Sequence, residues 1–235
     1  MDSLSVWIEK LLYADPEKGT KVITIIGSGG KTSLIWHLAA YFVHQELKVL
    51  VSPTTKMLPI KPVPGITLAG YFNEASGKLE ALPGQTLEKM ISDFDLVLIE
   101  GDGAKGLPLK GWADHEPVVP SFTTLTIGML PLWPLGKPVS EEIIHRLPLF
   151  LTLTGASIGD NLKHDDFLKL LTGNEIQPGL FTKACGKKLL FLNGAEDEEA
   201  VSQAREIIGI LPAEFRENLN GIITGSVRDD KVLEL

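Results

Sequence analysis

The stretch Ile26-Gly27-Ser28-Gly29-Gly30-Lys31-Thr32 follows the β-branched run Val22-Ile23-Thr24-Ile25-Ile26 and leads straight into the apolar segment Ser33-Leu34-Ile35-Trp36-His37-Leu38-Ala39-Ala40-Tyr41. A buried strand that delivers glycines to the start of a helix builds a phosphate-binding loop, because residues without a Cβ let consecutive N–H groups curl around an anion. Lys31 adds positive charge and Thr32, at the helix start, offers a hydroxyl to Mg²⁺. The full Walker A pattern has a further glycine where Ile25 stands, so this is the short form, Gly27-x-x-Gly30-Lys31-Thr32. A plain glycine-rich turn would need no Lys-Thr pair in that register. The expected nucleotide ligands are therefore Gly27, Ser28, Gly29, Gly30, Lys31, Thr32 and Ser33, with ATP and GTP both open as the nucleotide.

Working outward, short apolar segments recur at Val22–Ile26, Lys48–Ser52, Asp95–Glu100, Leu125–Gly128, Lys188–Asn193 and Gly221–Thr224. Helical patterns fall between them at Thr32–Gln45, Thr86–Ser92, His164–Leu171 and Glu198–Ile208, and Leu4–Leu12 reads as an outer amphipathic helix. This alternation predicts an α/β fold of the P-loop NTPase type, three layers deep with a mostly parallel sheet, over residues 1–235 as one domain. One excursion is expected: Ile66–Phe72 and Lys78–Leu82 flank the turn residues Asn73-Glu74-Ala75-Ser76-Gly77 as a β-hairpin. The proline-rich stretches Pro59–Pro64 and Pro131–Pro138 read as ordered connections.

Composition bounds the function. The 30 acidic against 22 basic residues give a formal charge of −8, and no basic cluster is interleaved with aromatics, so nucleic acid is not an expected partner. No apolar run reaches the roughly 18–20 residues of a membrane span. A lone Cys185 and the lack of a charged-then-apolar leader point to a cytoplasmic protein without disulfides.

After Leu96-Val97-Leu98-Ile99 comes Glu100-Gly101-Asp102-Gly103-Ala104-Lys105-Gly106. Carboxylates at the C-terminal end of a buried strand stand where an open α/β sheet binds its ligand, and a nucleotide-bound Mg²⁺ needs one there. Glu100 is the expected metal ligand together with Thr32, and Asp102 either holds the metal or orients an attacking group, making Lys31, Glu100 and Asp102 the catalytic candidates. Thr54, Thr55 and Lys56 emerge at the same edge after the second strand, where hydroxyls and an amine can meet phosphate or a second anion. Lys110, His115 and Glu116, with His145 and Arg146 at the end of a short helix over Glu141–Ile144, are candidates for binding a substrate or partner. Leu192-Asn193-Gly194-Ala195-Glu196-Asp197 lies where guanine-binding proteins carry Asn-Lys-x-Asp, but Gly194 replaces the lysine.

These motifs together resemble the YqeC family: the glycine loop, then Thr54-Thr55-Lys56, EGDGA at 100–104, Pro108-Leu109-Lys110, HEPVVP at 115–120, His145-Arg146 and Leu192-Asn193, in order along nearly the whole chain. Pro53 and Gly194 depart from the family pattern. The resemblance implies a cytoplasmic P-loop NTPase that accompanies selenium-dependent molybdenum hydroxylases, with the hydroxylase or its cofactor as partner. Two other chemistries fit the same residues. One is an ATP-dependent ligase or kinase acting on a small anionic acceptor held by Lys56, Lys110, His115 and Arg146; the other is a non-catalytic carrier gated by nucleotide.

Overall fold

The computed structural model describes residues 2–14, 19–57 and 63–235. Its main sheet has nine strands: β1 (Asp2–Ser3), β2 (Lys21–Gly27), β3 (Val49–Pro53), β4 (Ile66–Leu68), β5 (Leu96–Glu100), β6 (Leu125–Pro131), β7 (Lys187–Asn193), β8 (Gly221–Ser226) and β9 (Lys231–Glu234). They lie in the order β1-β9-β8-β7-β6-β2-β5-β3-β4. Every pairing from β8 to β4 is parallel, and β9 is antiparallel to both of its neighbours. The helices are α1 (Leu4–Leu12), α2 (Lys31–His44), α3 (Gly84–Met90), α4 (Leu147–Thr154), α5 (His164–Thr172), α6 (Glu198–Gly209) and α7 (Ala213–Glu217).

The alternation of side chains along β2 shows why the layers form. Ile23 and Ile25 enter a core with Leu4 and Ile8 of α1 and Leu34, Leu38 and Phe42 of α2. On the opposite face Val22 packs with Leu87 of α3, and Ile26 joins the core built on α4, α5 and α6 through Phe150, Phe167 and Ile207. A strand with a helix layer on each side must be apolar at both parities, and every residue of β2 is buried. The result is the three-layer α/β/α architecture with a mostly parallel sheet. No helix among the described residues is long and apolar enough to cross a membrane.

Two local expectations change. The hairpin is shorter than the Ile66–Phe72 reading: Ile66–Leu68 leaves it to pair in parallel with β3 as the edge of the main sheet. What remains is a small antiparallel sheet of Lys56–Met57, Tyr71–Asn73 and Lys78–Glu80. The apolar parity of Ile66 and Leu68 matches β3 as well as it matches a hairpin partner, and burial against the main core decides between them. Glu141–Ile144 is not a helix. Ile144–His145 is a two-residue strand paired in parallel with Leu109–Lys110, and the helix begins only at Leu147. Of the Pro59–Pro64 stretch, residues 59–62 lie outside the described residues.

Candidate functional site

The glycine loop sits at the C-terminal edge of β2, the centre of the parallel strands. Its course requires glycine: Gly27 has φ +98°, and a Cβ there would stand 2.1 Å from the Met129 carbonyl oxygen of β6; at Gly29, φ +73°, a Cβ would stand 2.4 Å from the Pro131 ring. The Ser28 amide donates to the Met129 carbonyl at 3.0 Å, which fixes the loop to β6. Asn193, at the end of β7, donates from Nδ2 to the Gly29 carbonyl at 2.9 Å and accepts from the Val227 amide at 3.2 Å, so it supports the loop from the other side. Among the described residues, the amides from Gly29 to Ser33 donate to no protein group, which leaves a run of N–H dipoles at the positive end of the fourteen-residue α2.

The loop opens into a cleft of about 700 Å³ lined by Gly29, Gly30, Lys31, Thr32 and Ser33 from one side. Gly27 and Ser28 lie beneath it; the Ser28 hydroxyl is buried and has no hydrogen-bond partner. Thr32 Oγ1 donates to Glu100 Oε2 at 2.9 Å, which brings a hydroxyl and a carboxylate together at the cleft wall. Burial is the main reason the Glu100 carboxyl titrates above its ordinary value, and the nearby Asp102 adds to it; Lys31 and the Thr32 hydroxyl pull the other way. Hard oxygen donors of this kind suit Mg²⁺. Among the described residues no three or more His, Cys, Asp or Glu side chains group to hold a metal, so a cation at Thr32 and Glu100 would complete its shell from phosphate and water oxygens.

Beneath the cleft floor runs a buried chain of charges. Lys31 Nζ donates to the Gly27 carbonyl at 2.5 Å and lies 3.3 Å from Asp102 Oδ1. Asp102 is fully buried; it also accepts from the Gly27 amide at 3.1 Å and from Lys110 Nζ at 3.0 Å. Lys110, equally buried, donates to the Gly103 carbonyl at 2.7 Å and to Glu116 Oε2 at 2.5 Å, with the Trp112 ring 5.2 Å away. Glu116 accepts from both terminal guanidinium nitrogens of Arg146, Nη1 to Oε2 and Nη2 to Oε1, the latter at 3.0 Å. Burial by itself raises the Glu116 pKa, but the hydrogen bonds from Arg146 and Lys110 and their charges outweigh it and hold the carboxyl at about 2. The short ladder between Leu109–Lys110 and Ile144–His145 makes this possible, since it sets Arg146 beside the segment that carries Glu116. Next to it, His145 lines the cleft, and burial together with the charges of Arg146, Lys105 and Lys110 lowers its pKa to about 4.

The structure thus gathers Lys31, Thr32, Ser33, Thr55, Lys56, Glu100, Glu116, His145 and Arg146 around one cleft. It separates others from it. Asp102 has no exposure and both its oxygens are engaged by protein donors, so it faces no attacking group and instead holds Lys31 and the loop. Lys110 is sealed in the same network. Thr54 uses its hydroxyl on the carbonyls of Glu100 at 3.1 Å and Val118 at 3.3 Å. His115 is exposed and does not line the cleft, so it does not act as a pair with the buried Glu116. In the Asn193 segment, Glu196 pairs with Arg228 at 2.8 Å and Asp197 caps α6. Sequence reasoning passed over Lys78, Lys105 and Trp133, which also line the cleft. Nothing in the sequence around either lysine marks it as different from a solvated one; only the position of its neighbours does.

A glycine loop entering a helix from the central strand of a parallel α/β/α sheet, with a carboxylate against its threonine, defines a P-loop protein, the class in which such a loop holds nucleotide phosphates. The family model for "YqeC protein" matches residues 23–148, and the chain belongs to the YqeC family. It is 27% identical over 210 residues to the uncharacterized protein YqeC of Escherichia coli (strain K12), across 80% of this chain and 82% of that one. Among solved structures it is similar to a GTPase in apo form from Pyrococcus abyssi, with a TM-score of 0.42 and 13% identity over 90% of this chain and 92% of that one. It is also similar to FtsY from Mycoplasma mycoides, with a TM-score of 0.37 and 13% identity over 97% and 67% of the two chains.

Proposed function

We propose that this protein binds a Mg²⁺ nucleotide, ATP or GTP, in the loop-lined cleft, and cleaves or transfers its terminal phosphate in the service of cofactor maturation in a selenium-dependent molybdenum hydroxylase. The observation that carries the nucleotide reading is the meeting of Lys31, the free amides of Gly29 to Ser33, and the Thr32–Glu100 pair in one cleft. The maturation role is supported by the family resemblance of the motifs EGDGAKGLPLK and DHEPVVP.

Phosphoryl transfer through a loose transition state asks a protein mainly for positioning and for neutralising charge. Lys31 and the loop amides supply both to the phosphates. Thr32 and Glu100 would hold Mg²⁺, which when bound neutralises charge on the phosphate oxygens. Asp102 acts as a positioning residue: by anchoring Gly27 and Lys31 it keeps the loop amine aimed along the loop. Transfer to an acidic acceptor is the second reading, favoured by Lys56, His145 and Arg146 in the same cleft.

Turnover of ATP and GTP with and without Mg²⁺ tests the reading, and Lys31→Ala should lower it at least about a hundredfold, the scale of one preorganised charge contact. Turnover within a few-fold of wild type in that variant would sink the assignment. The maturation role is tested by deleting the gene and measuring selenium and molybdenum in the purified hydroxylase, where a normal selenium load would remove it.

A further inference from the structure

The cleft is far more basic than the chain that forms it. Lys31, Lys56, Lys78, Lys105 and Arg146 line it against the carboxylates Glu100 and Glu116, on a protein whose formal charge is −8. Their places in the topology divide them. Lys31 belongs to the loop after β2. The other four stand on the β5 and β3 side: Lys105 follows β5, Lys56 follows β3, Lys78 comes from the small sheet that pairs with Lys56–Met57, and Arg146 is held there by the buried Glu116. Because the strand-end carboxylate of a P-loop site serves the terminal phosphates, this is the end of the cleft at which a nucleotide's last phosphate would arrive.

Two further features mark that end. Lys105 and Arg146 both hold positive φ, 51° and 58°, in a chain where only four non-glycine residues among those described do so. Such backbones cost energy and persist where surrounding structure fixes them, most often around binding sites. The Thr55 hydroxyl, also in the cleft wall, is buried without a hydrogen-bond partner, and Lys78 and Lys105 carry no ion pair among the described residues, whereas Lys56 is held beside them by Glu80 at 2.8 Å. An uncommitted hydroxyl beside uncommitted ammonium groups is a donor set awaiting an acceptor.

We infer that the β3 end of the cleft is a second anion site, in which Lys56, Lys78 and Lys105 with the Thr55 hydroxyl bind a small acidic substrate, a carboxylate or a phosphate monoester, next to the terminal phosphate of the nucleotide. This deepens the proposed function and rests on its placing the nucleotide in the glycine loop. Carboxylate and phosphate present the same kind of oxygen to ammonium donors, so both are probed.

The test is calorimetric titration of the whole protein with citrate and, separately, with inorganic phosphate, each with and without a saturating Mg²⁺ complex of a non-hydrolysable ATP or GTP analogue. The variants are Lys31→Ala and the surface double variant Lys78→Gln/Lys105→Gln. The expected result is that at least one probe binds the nucleotide-loaded wild type, that the double variant weakens this by about tenfold or more, and that its analogue affinity stays within about threefold. The preference between citrate and phosphate then names the substrate's acidic group. The inference is overturned if neither probe binds the loaded protein, if the double variant binds the probe as tightly as wild type, or if the double variant loses analogue affinity as strongly as Lys31→Ala, since these lysines would then belong to the nucleotide's own site. Failure of the analogue to bind wild type is a separate outcome that overturns the nucleotide reading. In that event probe binding to the free protein decides: loss in the double variant but not in Lys31→Ala keeps the anion site, and the reverse removes it.

Discussion

Replacing Asp102 by asparagine keeps its shape and one acceptor but takes a negative charge out of a sealed cluster. In the native protein three cations, Lys31, Lys110 and Arg146, are threaded on two carboxylates, Asp102 and Glu116. After the change Glu116 is the one carboxylate left among them, and Lys110, which has no exposure, loses the charge of the partner it meets at 3.0 Å in the native protein. Breaking one partner out of a buried ion pair costs about 3–5 kcal/mol. For a chain of this size each kcal/mol moves the midpoint of thermal unfolding by about 2–4 °C, so a fall of roughly 6–20 °C is expected. The signature is the partner substitution. Lys110→Met alone takes from Asp102 one of its two ammonium partners and leaves it Lys31, but Asp102→Asn with Lys110→Met removes both members of the 3.0 Å pair, leaves Glu116 to Arg146 and returns the cluster to its native net charge. Urea unfolding followed by tryptophan fluorescence should therefore give a double variant more stable than the sum of the two single losses, by at least about 1 kcal/mol. Additive losses, or a single Asp102→Asn cost below about 1 kcal/mol, would refute the idea that the loop rests on this ion chain.

The glycine loop and the neighbouring imidazole give two further expectations. Gly29→Ala should weaken nucleotide binding by about tenfold or more, because the new Cβ meets the Pro131 ring at 2.4 Å and a strained φ costs about 1–3 kcal/mol before the loop moves; unchanged affinity by calorimetry would contradict the packing. His145 should titrate near 4 by NMR rather than at its ordinary 6.5. Since the unfolded chain binds that proton first, stability should fall as the pH drops from 6.5 to 4, and His145→Asn should flatten that window; a ring that titrates near 6.5 in the folded protein counts against it.

How much of this was legible in the sequence depends on range. The central strands and α1, α2, α5 and α6 could be read because burial on two faces, or on one stripe, writes itself into each segment's own period. The glycine loop could be read because a positive φ and a close backbone approach leave glycine little competition. The β9 strand and the ladder of Ile144–His145 on Leu109–Lys110 could not, since two to four residues carry no period and their pairing is decided by what lies opposite. The same limit hid the difference between Glu100 and Asp102. Two residues apart after one strand they look alike, but the first reaches the cleft and the second turns under the loop to meet Lys110. His115 and Glu116 are adjacent in the chain yet one is exposed and the other buried, because Arg146, distant in sequence, claims only the second.

The central claim is that Lys31 and the Thr32–Glu100 pair form the seat of a Mg²⁺ nucleotide. Calorimetric titration of wild type, Lys31→Ala and Thr32→Val with ATP and with GTP, in Mg²⁺ and in EDTA, measures it directly. One nucleotide per chain is expected, bound at least about tenfold more weakly by Lys31→Ala in either medium, with a Mg²⁺ enhancement in wild type that Thr32→Val abolishes. Equal affinity in wild type and Lys31→Ala, or the same Mg²⁺ enhancement in wild type and Thr32→Val, would contradict it.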